Sequence, residues 1–479
     1  MRKTIIFRHL GLILLFNSFF LFISAAISGV LDETSFIPLL YSALIAMLFG
    51  VFPLIFVDRT YDIQSKEGIF IVVSGWGISC LVGMLPYILW GGEFSLVNGW
   101  FESVSGFTTT GSSILNDIEG LPTGLLFWRS STHWIGGIGI ILFALLIFPK
   151  SGTARHTLIR SELSDMSTKS FRTKTSSILK VILYIYVGLT VLEVICLSIA
   201  GMSLFDAITH SFGTIATGGF SPKNTSIAHF DSLTIEVIIM VFMVLSGMHF
   251  GLHFATITGK RRNLFTSAVV KYYLIFLIIG IGLVTLKLYL SDFGTWQESL
   301  RYGSFQVISL GTTTGYATID TAAWPPFTQL ILIYFSIQCA CIGSTSGGLK
   351  FDRILMLLKS IKKQVQVFIH PQAVIVKKID KIKISNEMEQ FFLTFTALYL
   401  VVILISTFIN TFLGVDLMTS FSASVATIGN VGPGFAGVSS LGNYADLPSL
   451  SKFILTITML MGRLEIFSIL SLFYLRSWR

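Results

Sequence analysis

Apolar runs of membrane-spanning length follow one another along almost the whole chain, broken only by short polar stretches. Runs near 9–30 and 37–57 predict a first pair of helices; about 20 apolar residues suffice to cross a hydrocarbon core of about 30 Å. A charged turn, Arg59 to Lys66, follows. Beyond it one pattern recurs four times: an apolar span, a short segment with turn or capping residues at its start, a stretch rich in threonine and glycine, and a second span. Spans near 68–91 and 124–149 flank Ser105-Gly106-Phe107-Thr108-Thr109-Thr110-Gly111-Ser112. Spans near 177–200 and 232–258 flank Gly213-Thr214-Ile215-Ala216-Thr217-Gly218-Gly219-Phe220. The third unit has spans near 265–290 and 326–358 around Leu310-Gly311-Thr312-Thr313-Thr314-Gly315-Tyr316. The fourth has spans near 388–413 and 451–475 around Ala426-Thr427-Ile428-Gly429-Asn430-Val431-Gly432-Pro433. Gly111, Gly218, Gly315 and Gly432 recur at near-regular intervals, as an ancestral duplication would leave them.

Composition agrees with this pattern. Of 479 residues 53% are hydrophobic and only 12% charged, against roughly 25% charged in a soluble globular chain. The net charge of +8 raises nucleic acid as a partner, and the placement of the charges excludes it. Basic residues gather in alternate short loops, at Lys150, Arg155 and Arg160, at Lys260, Arg261 and Arg262, and at Lys359, Lys362, Lys363, Lys377 and Lys378. The intervening loops carry Glu93, Asp117, Glu119, Asp231, Asp292 and Asp320. This is the positive-inside bias of a membrane protein, and it places both termini on the cytoplasmic side. The basic loops also suit anionic lipid head groups. Cys80, Cys196, Cys339 and Cys341 fall in or beside apolar runs without ligand-like spacing, so neither a disulfide framework nor a zinc site is expected. The first run is read as a retained span, being longer than the apolar core of a cleaved leader, although Ser24-Ala25-Ala26 resembles a processing site.

If every unit starts and ends on the basic side, all four Thr/Gly stretches face the same way. The repeats are then parallel, unlike the inverted repeats of many secondary transporters. The short segments Ser95 to Ser105, Ser203 to Phe212, Gln297 to Ser309 and Asp416 to Val425 read as re-entrant half-helices. Their carboxyl ends direct partial negative charge toward the membrane centre, where it stabilises a cation. Irregular backbone at that depth is tolerated only around a protein-enclosed, wet path. Rings of backbone carbonyls there replace an ion's hydration shell without fixed charge. Glycine permits the left-handed conformations that such a ring needs, and threonine beside it supplies a hydroxyl and a stiff side chain. A single Thr-Thr-Gly is uninformative; four, each between two spans, predict a filter. Its candidate ligands are the carbonyls of Thr109, Thr110 and Gly111, of Ala216, Thr217 and Gly218, of Thr313, Thr314 and Gly315, and of Asn430, Val431 and Gly432. The expected fold is an all-α polytopic membrane protein: an N-terminal helix pair (1–66) and four parallel span–pore loop–span repeats around one pore (67–160, 161–262, 263–385, 386–479).

On the motifs Thr108-Thr109-Thr110-Gly111-Ser112, Ala216-Thr217-Gly218-Gly219-Phe220, Thr312-Thr313-Thr314-Gly315-Tyr316 and Asn430-Val431-Gly432-Pro433-Gly434, the chain resembles the Trk, Ktr and HKT superfamily of potassium transporters. The resemblance covers nearly the whole chain, and the extra N-terminal pair looks like the Trk branch. It implies that carbonyls around Gly111, Gly218, Gly315 and Gly432 coordinate potassium, which is cargo; no organic cofactor is implied. Glycine at 111, where some sodium-favouring relatives carry serine, points to potassium. The ring is unequal, because Asn430 and Val431 stand where the third loop has threonines, and selectivity is therefore left open. The resemblance further implies a homodimer and a cytoplasmic nucleotide-binding regulatory subunit docked on basic segments such as Lys359 to Lys383. The cytoplasmic (inner) membrane is the expected location. No nucleotide-binding glycine fingerprint occurs in this chain itself.

Two features interrupt the spans. Gly343-Ser344-Thr345-Ser346-Gly347-Gly348 is a polar break in a long apolar run, and such backbone has to line a wet path; in the resembling family the matching loop obstructs the pore as its gate. Arg463 lies inside the last span, where an arginine costs about 2.5–3.5 kcal/mol on insertion scales and has to face a cavity or a partner. The preferred role is a fixed positive charge beneath the filter, with an ion pair to another span as the alternative; Glu465, two residues on, is a poor intrahelical partner. His249 and His253, four apart on one predicted helix face, lack a third metal ligand, so packing or hydrogen bonding is preferred. Arg129 and His133 repeat that spacing and are expected to anchor the pore-helix layer. A multi-pass enzyme has no acid-base or metal constellation to support it. A coupled sodium or proton symporter would use Glu193, Glu236 or Glu465.

Overall fold

In the computed structural model, residues 2–58, 64–147, 175–259, 263–372, 378–379 and 382–473 are described. Helices α1 (Lys3–Val30) and α2 (Phe36–Phe56) fold back on one another. They approach closely at paired glycines: a methyl on Gly11 would meet the Gly50 carbonyl oxygen at 2.6 Å, and one on Gly50 the Gly11 oxygen at 3.0 Å. Small residues at such crossings let helices pack where lipid supplies no hydrophobic drive between them.

The remaining helices fall into four sets, each with a short helix between its first and its later helices. First come α3 (Ser65–Gly83) and its continuation α4 (Leu85–Trp90), short α5 (Leu96–Phe107) and α6 (Thr123–Ile147). Next are α7 (Thr175–Ile199), short α8 (Leu204–Ile215), and the pair α9 (Leu233–Ser246) and α10 (Phe250–Ile257). The third set is α11 (Ala268–Leu290), short α12 (Trp296–Gly311), α13 (Pro326–Gln338) and α14 (Phe351–Ile369). The fourth is α15 (Asn386–Phe412), short α16 (Leu417–Gly429), α17 (Ser449–Arg463) and α18 (Ile466–Phe473). Among the described residues the only strands are Lys378–Ile379 and Ile382–Lys383, an antiparallel pair. Apart from this short pair, the regular structure of the described residues is helical, as expected.

Six helices among the described residues are long and apolar enough to cross a membrane, or up to eight if each of two bent pairs is one span. Their exposed faces carry Phe49, Phe52, Ile278, Phe408 and Phe412, a surface suited to hydrocarbon and not to water. The chain is a multi-pass membrane protein. Two spans expected to be continuous are broken: 232–258 bends by 99° between α9 and α10, and 451–475 bends by 112° between α17 and α18. The first break is at Gly247-Met248-His249, and the second turns on Glu465, whose φ is +60°. Freed backbone groups find partners, as they must at membrane depth: the Phe250 N–H donates to the Gly343 carbonyl at 3.0 Å. The expected break between α13 and α14 is present. The basic clusters at Lys150, Arg155 and Arg160 and at Lys260, Arg261 and Arg262, with Arg59 and Lys377, lie outside the described residues.

Candidate functional site

The four short helices are built alike from both ends. Each starts at a capping residue, Ser95, Ser203, Thr295 or Asp416, whose side-chain oxygen accepts from a first-turn N–H, at 3.3, 3.1, 3.3 and 2.9 Å respectively. Two caps carry perturbed acids: the Thr295 donors hold the Glu298 carboxyl below the usual carboxylate range, and the Thr419 donors do the same for Asp416. Each helix ends in one hydrogen-bonded motif. The N–H groups of Thr110, Gly218, Thr314 and Val431 reach back to the carbonyls of Ser105, Gly213, Ser309 and Ala426 at 2.9, 2.8, 2.8 and 2.9 Å. The residue before each of these is left-handed, as this terminator requires: Thr109 at φ +52°, Thr217 at +54°, Thr313 at +63° and Asn430 at +52°.

Two residues after each left-handed position stands a glycine that is also left-handed: Gly111 (φ +84°), Gly219 (+80°), Gly315 (+79°) and Gly432 (+96°). Alternating handedness turns successive peptide groups to one side of the chain. The glycines also need their missing side chains. A methyl on Gly111 would run into the Gly218 carbonyl oxygen, one on Gly219 into that of Thr314, and one on Gly315 into that of Val431. On Gly432 it would lie 2.6 Å from the Thr110 oxygen. The first loop thus abuts the second, the second the third, the third the fourth, and the fourth the first. Four segments scattered over more than three hundred residues close a single circuit of carbonyls.

Each seam has its own fastening. Between the first and second loops, buried Arg129 donates to Glu102 at 2.6 Å and to the Ser221 carbonyl at 2.9 Å, with its guanidinium 3.5 Å from the Phe220 ring centroid. Glu102 also accepts from the Ile114 N–H at 3.0 Å, and His133 stacks on Phe220 at 4.1 Å. Between the second and third, the Tyr316 hydroxyl donates to the His210 carbonyl at 2.9 Å. Between the third and fourth, Ser440 donates to Ile319 O at 3.0 Å. At the fourth seam the Asn430 amide donates to the Thr110 hydroxyl at 2.9 Å, while Ser112 and Tyr444 donate to the Gly432 carbonyl at 3.0 and 2.8 Å.

The segment 339–350 lies directly beneath these helix ends. The Thr345 hydroxyl donates to Ile215 O, the last residue of α8, at 2.9 Å. Cys341 N–H donates to Gly247 O at 3.1 Å. A methyl on Gly347 would sit 2.6 Å from the Asn430 Cβ. Gly343 and Gly348 are left-handed, at φ +80° and +58°, and the Lys350 ammonium donates back to the Ser346 carbonyl. Arg463, buried, donates to the Thr345 carbonyl and to Gly136 O, the latter at 2.8 Å. A methyl on Gly136 would run into the Phe107 carbonyl at the end of α5. One cation thus ties the broken segment to the helix that backs the first loop.

The family model for TrkH, described as a cation transport protein, matches residues 41–477. The chain belongs to the TrkH family. It is 36% identical over 422 residues to the Trk system potassium uptake protein TrkH of Halomonas elongata, and 36% over 424 residues to that of Escherichia coli; 87% of each chain is covered in both cases. The crystal structure of the potassium transporter TrkH from Vibrio parahaemolyticus superimposes over 100% of both chains, with a TM-score of 0.90 and 29% identity.

Several sequence expectations shift within this TrkH-type frame. In the second loop the structural counterpart of Gly111 and Gly315 is Gly219; Gly218 occupies the place of Thr110, and Ala216 that of Thr108. The alignment of Thr217-Gly218-Gly219-Phe220 with Thr313-Thr314-Gly315-Tyr316 holds the signal for this register. Arg463 is not at a helix centre but at the last residue of α17, ahead of the bend. Glu465 pairs with Arg353 of α14, a partner over a hundred residues away in sequence. His249 and His253 do not share a helix face: His249 precedes α10 and accepts from the Gly251 N–H at 2.9 Å, and His253 hydrogen-bonds the Leu245 carbonyl at 2.9 Å. Arg129 and His133 do anchor the pore-helix layer. Among the described residues no cluster of three or more His, Cys, Asp or Glu is placed to hold a metal ion.

Proposed function

We propose that this protein takes up potassium across the cytoplasmic (inner) membrane through a filter made of its four loops. Thr109, Thr110 and Gly111, Thr217, Gly218 and Gly219, Thr313, Thr314 and Gly315, and Asn430, Val431 and Gly432 supply its backbone; Ala216 lies at its inner end. The observation that carries this reading is the closed circuit in which each left-handed glycine abuts a carbonyl of the next loop. Four carbonyls around one axis replace water about a dehydrated cation. The carboxyl ends of α5, α8, α12 and α16 add their partial negative charge below. The relatives' name, potassium uptake, supplies the ion.

Gly343, Ser344, Thr345, Ser346, Gly347 and Gly348 with Arg463 form the gate in this reading. A loop wedged under the helix ends and held by a buried cation obstructs a cation path both sterically and by charge. The 1–66 extension and repeats 67–160, 161–262, 263–385 and 386–479 are the units of this design. Both termini lie in the cytoplasm, the chain works as a homodimer in the lipid bilayer, and a cytoplasmic nucleotide-binding subunit moves the gate through the basic region Lys359 to Lys383.

A coupled mechanism has one observation in its favour. Glu236 is engaged by Arg301 at 2.7 Å and Glu465 by Arg353, whereas buried Glu193 has no cationic partner among the described residues, only the Thr214 side chain beside it. Flux without a proton or sodium gradient separates the two readings.

The test is rubidium and sodium uptake in cells lacking their own potassium import, comparing the wild type with Gly315→Ser. The wild type restores growth at low potassium, and the variant loses selectivity or flux. No rescue, together with no cation flux in liposomes, removes the proposal.

A further inference from the structure

The four filter glycines are alike in backbone conformation, yet one of their carbonyls is treated differently. Gly432 O accepts two hydroxyl hydrogen bonds, from Ser112 at 3.0 Å and from Tyr444 at 2.8 Å. A carbonyl oxygen has two lone pairs, and here both are in use. Among the described residues no side-chain hydroxyl donates to Gly111 O, Gly219 O or Gly315 O.

The difference is written into the residues that follow each glycine. Ser112 follows Gly111 and carries a hydroxyl short enough to reach sideways to the fourth loop. Phe220 and Pro433, at the corresponding places after Gly219 and Gly432, have none. Tyr316, after Gly315, sends its hydroxyl away to the His210 carbonyl at 2.9 Å. Tyr444 is held for its task at both ends: its N–H donates to Ser113 O at 2.8 Å, and its ring packs on Phe101 with centroids 5.4 Å apart. Both donors are buried, so bulk water does not compete with them. Two hydroxyl hydrogens at one oxygen present their positive ends where a cation would have to bind, which weakens that oxygen as an ion ligand.

We propose that Ser112 and Tyr444 withdraw the Gly432 carbonyl from ion coordination, leaving three carbonyls at the glycine level of the filter, and that this pair sets how strongly potassium is preferred over sodium. The inference rests on the filter reading above and assigns a specificity-determining role to two side chains outside the twelve backbone positions of that filter. A level with three strong ligands compensates the dehydration of potassium less fully than one with four, so the pair keeps the site weak.

The experiment measures potassium and sodium flux in the same proteoliposomes for the wild type, Ser112→Ala, Tyr444→Phe and the double variant. The potassium-to-sodium flux ratio is independent of how much protein inserts. Freeing the carbonyl raises the ratio about fivefold in the double variant, the equivalent of one net hydrogen bond, with smaller rises in the single variants. If the double variant does not fold, the single variants carry the same test. A ratio that is unchanged or lower in variants that still conduct overturns this inference and leaves the filter reading standing. Absence of flux in the wild type overturns the filter reading and this inference with it.

Discussion

At the residue scale, glycine and arginine hold the four-loop arrangement together for opposite reasons. The four glycines of the proposed filter are needed for what they lack: any side chain meets both a disfavoured left-handed backbone and a neighbouring carbonyl. Arg129 is needed for what it joins. Its pair with Glu102 is 2% and 0% exposed on the two sides. Removing one member of such a pair strands a buried charge at about 3–5 kcal/mol, whereas removing both leaves none. Arg129→Met is therefore expected to lower the melting temperature sharply, and adding Glu102→Gln to restore most of the loss. Detergent-solubilised thermal melts decide it; a double variant as unstable as Arg129→Met alone would show that the arginine acts by packing on Phe220. Sequence reasoning found Arg129 and His133 from their spacing but not Glu102, because an isolated glutamate in a short helix looks like a surface residue until the fold buries it.

At the scale of the element, the segment 339–350 shows how irregular backbone survives inside a membrane. Its polar groups are shared among α8, α9, α10 and α17, and these bonds keep it against the carboxyl ends of the short helices. Thr345 makes two of these attachments, its hydroxyl on Ile215 O and its carbonyl under Arg463. Thr345→Val keeps the branched shape and loses the hydroxyl, removing about 1 kcal/mol of net hydrogen bonding from what holds the proposed gate in place. Potassium flux through the isolated protein in liposomes is expected to rise about fivefold. Flux at or below the wild-type level would mean that the hydroxyl does not hold the gate. The glycine-rich composition of this element was readable in advance. The bends in the second and fourth repeats were not, because Gly247 and Glu465 sit in apolar runs that satisfy a span on hydropathy alone.

At the scale of the whole molecule, four loops from distant parts of the chain meet in one circuit, and in the proposed filter its closure is a collective property. Every loop depends on the carbonyl of the next, so one protruding side chain opens the circuit for all four. Alanine at Gly111, Gly219, Gly315 or Gly432 costs about 1–2 kcal/mol in backbone strain before the steric clash is counted. Each single variant should lose rubidium flux by about tenfold or more, and a second alanine should cost much less than the first, since neighbouring sites do not add. Independent, multiplicative losses across the four positions would argue against a shared ring. Gly219→Ala tests the register directly, because it counts as a ring position only when Gly218 stands for Thr110.

What the sequence by itself determined is what local chemistry controls. Helix-capping residues, glycine-bearing loops and most of the apolar runs follow from periodicity and backbone preference within a few residues, and helices, caps and left-handed glycines stand at those places, with two of the expected spans bent. Tertiary structure alone decided which of two adjacent glycines joins the circuit, that Arg463 faces Thr345 and Gly136, that Glu465 finds Arg353, and that the Gly432 carbonyl is claimed by Ser112 and Tyr444. These outcomes depend on atoms brought together from distant repeats, and a hydrogen bond or a steric limit between such atoms leaves no periodic trace in the chain.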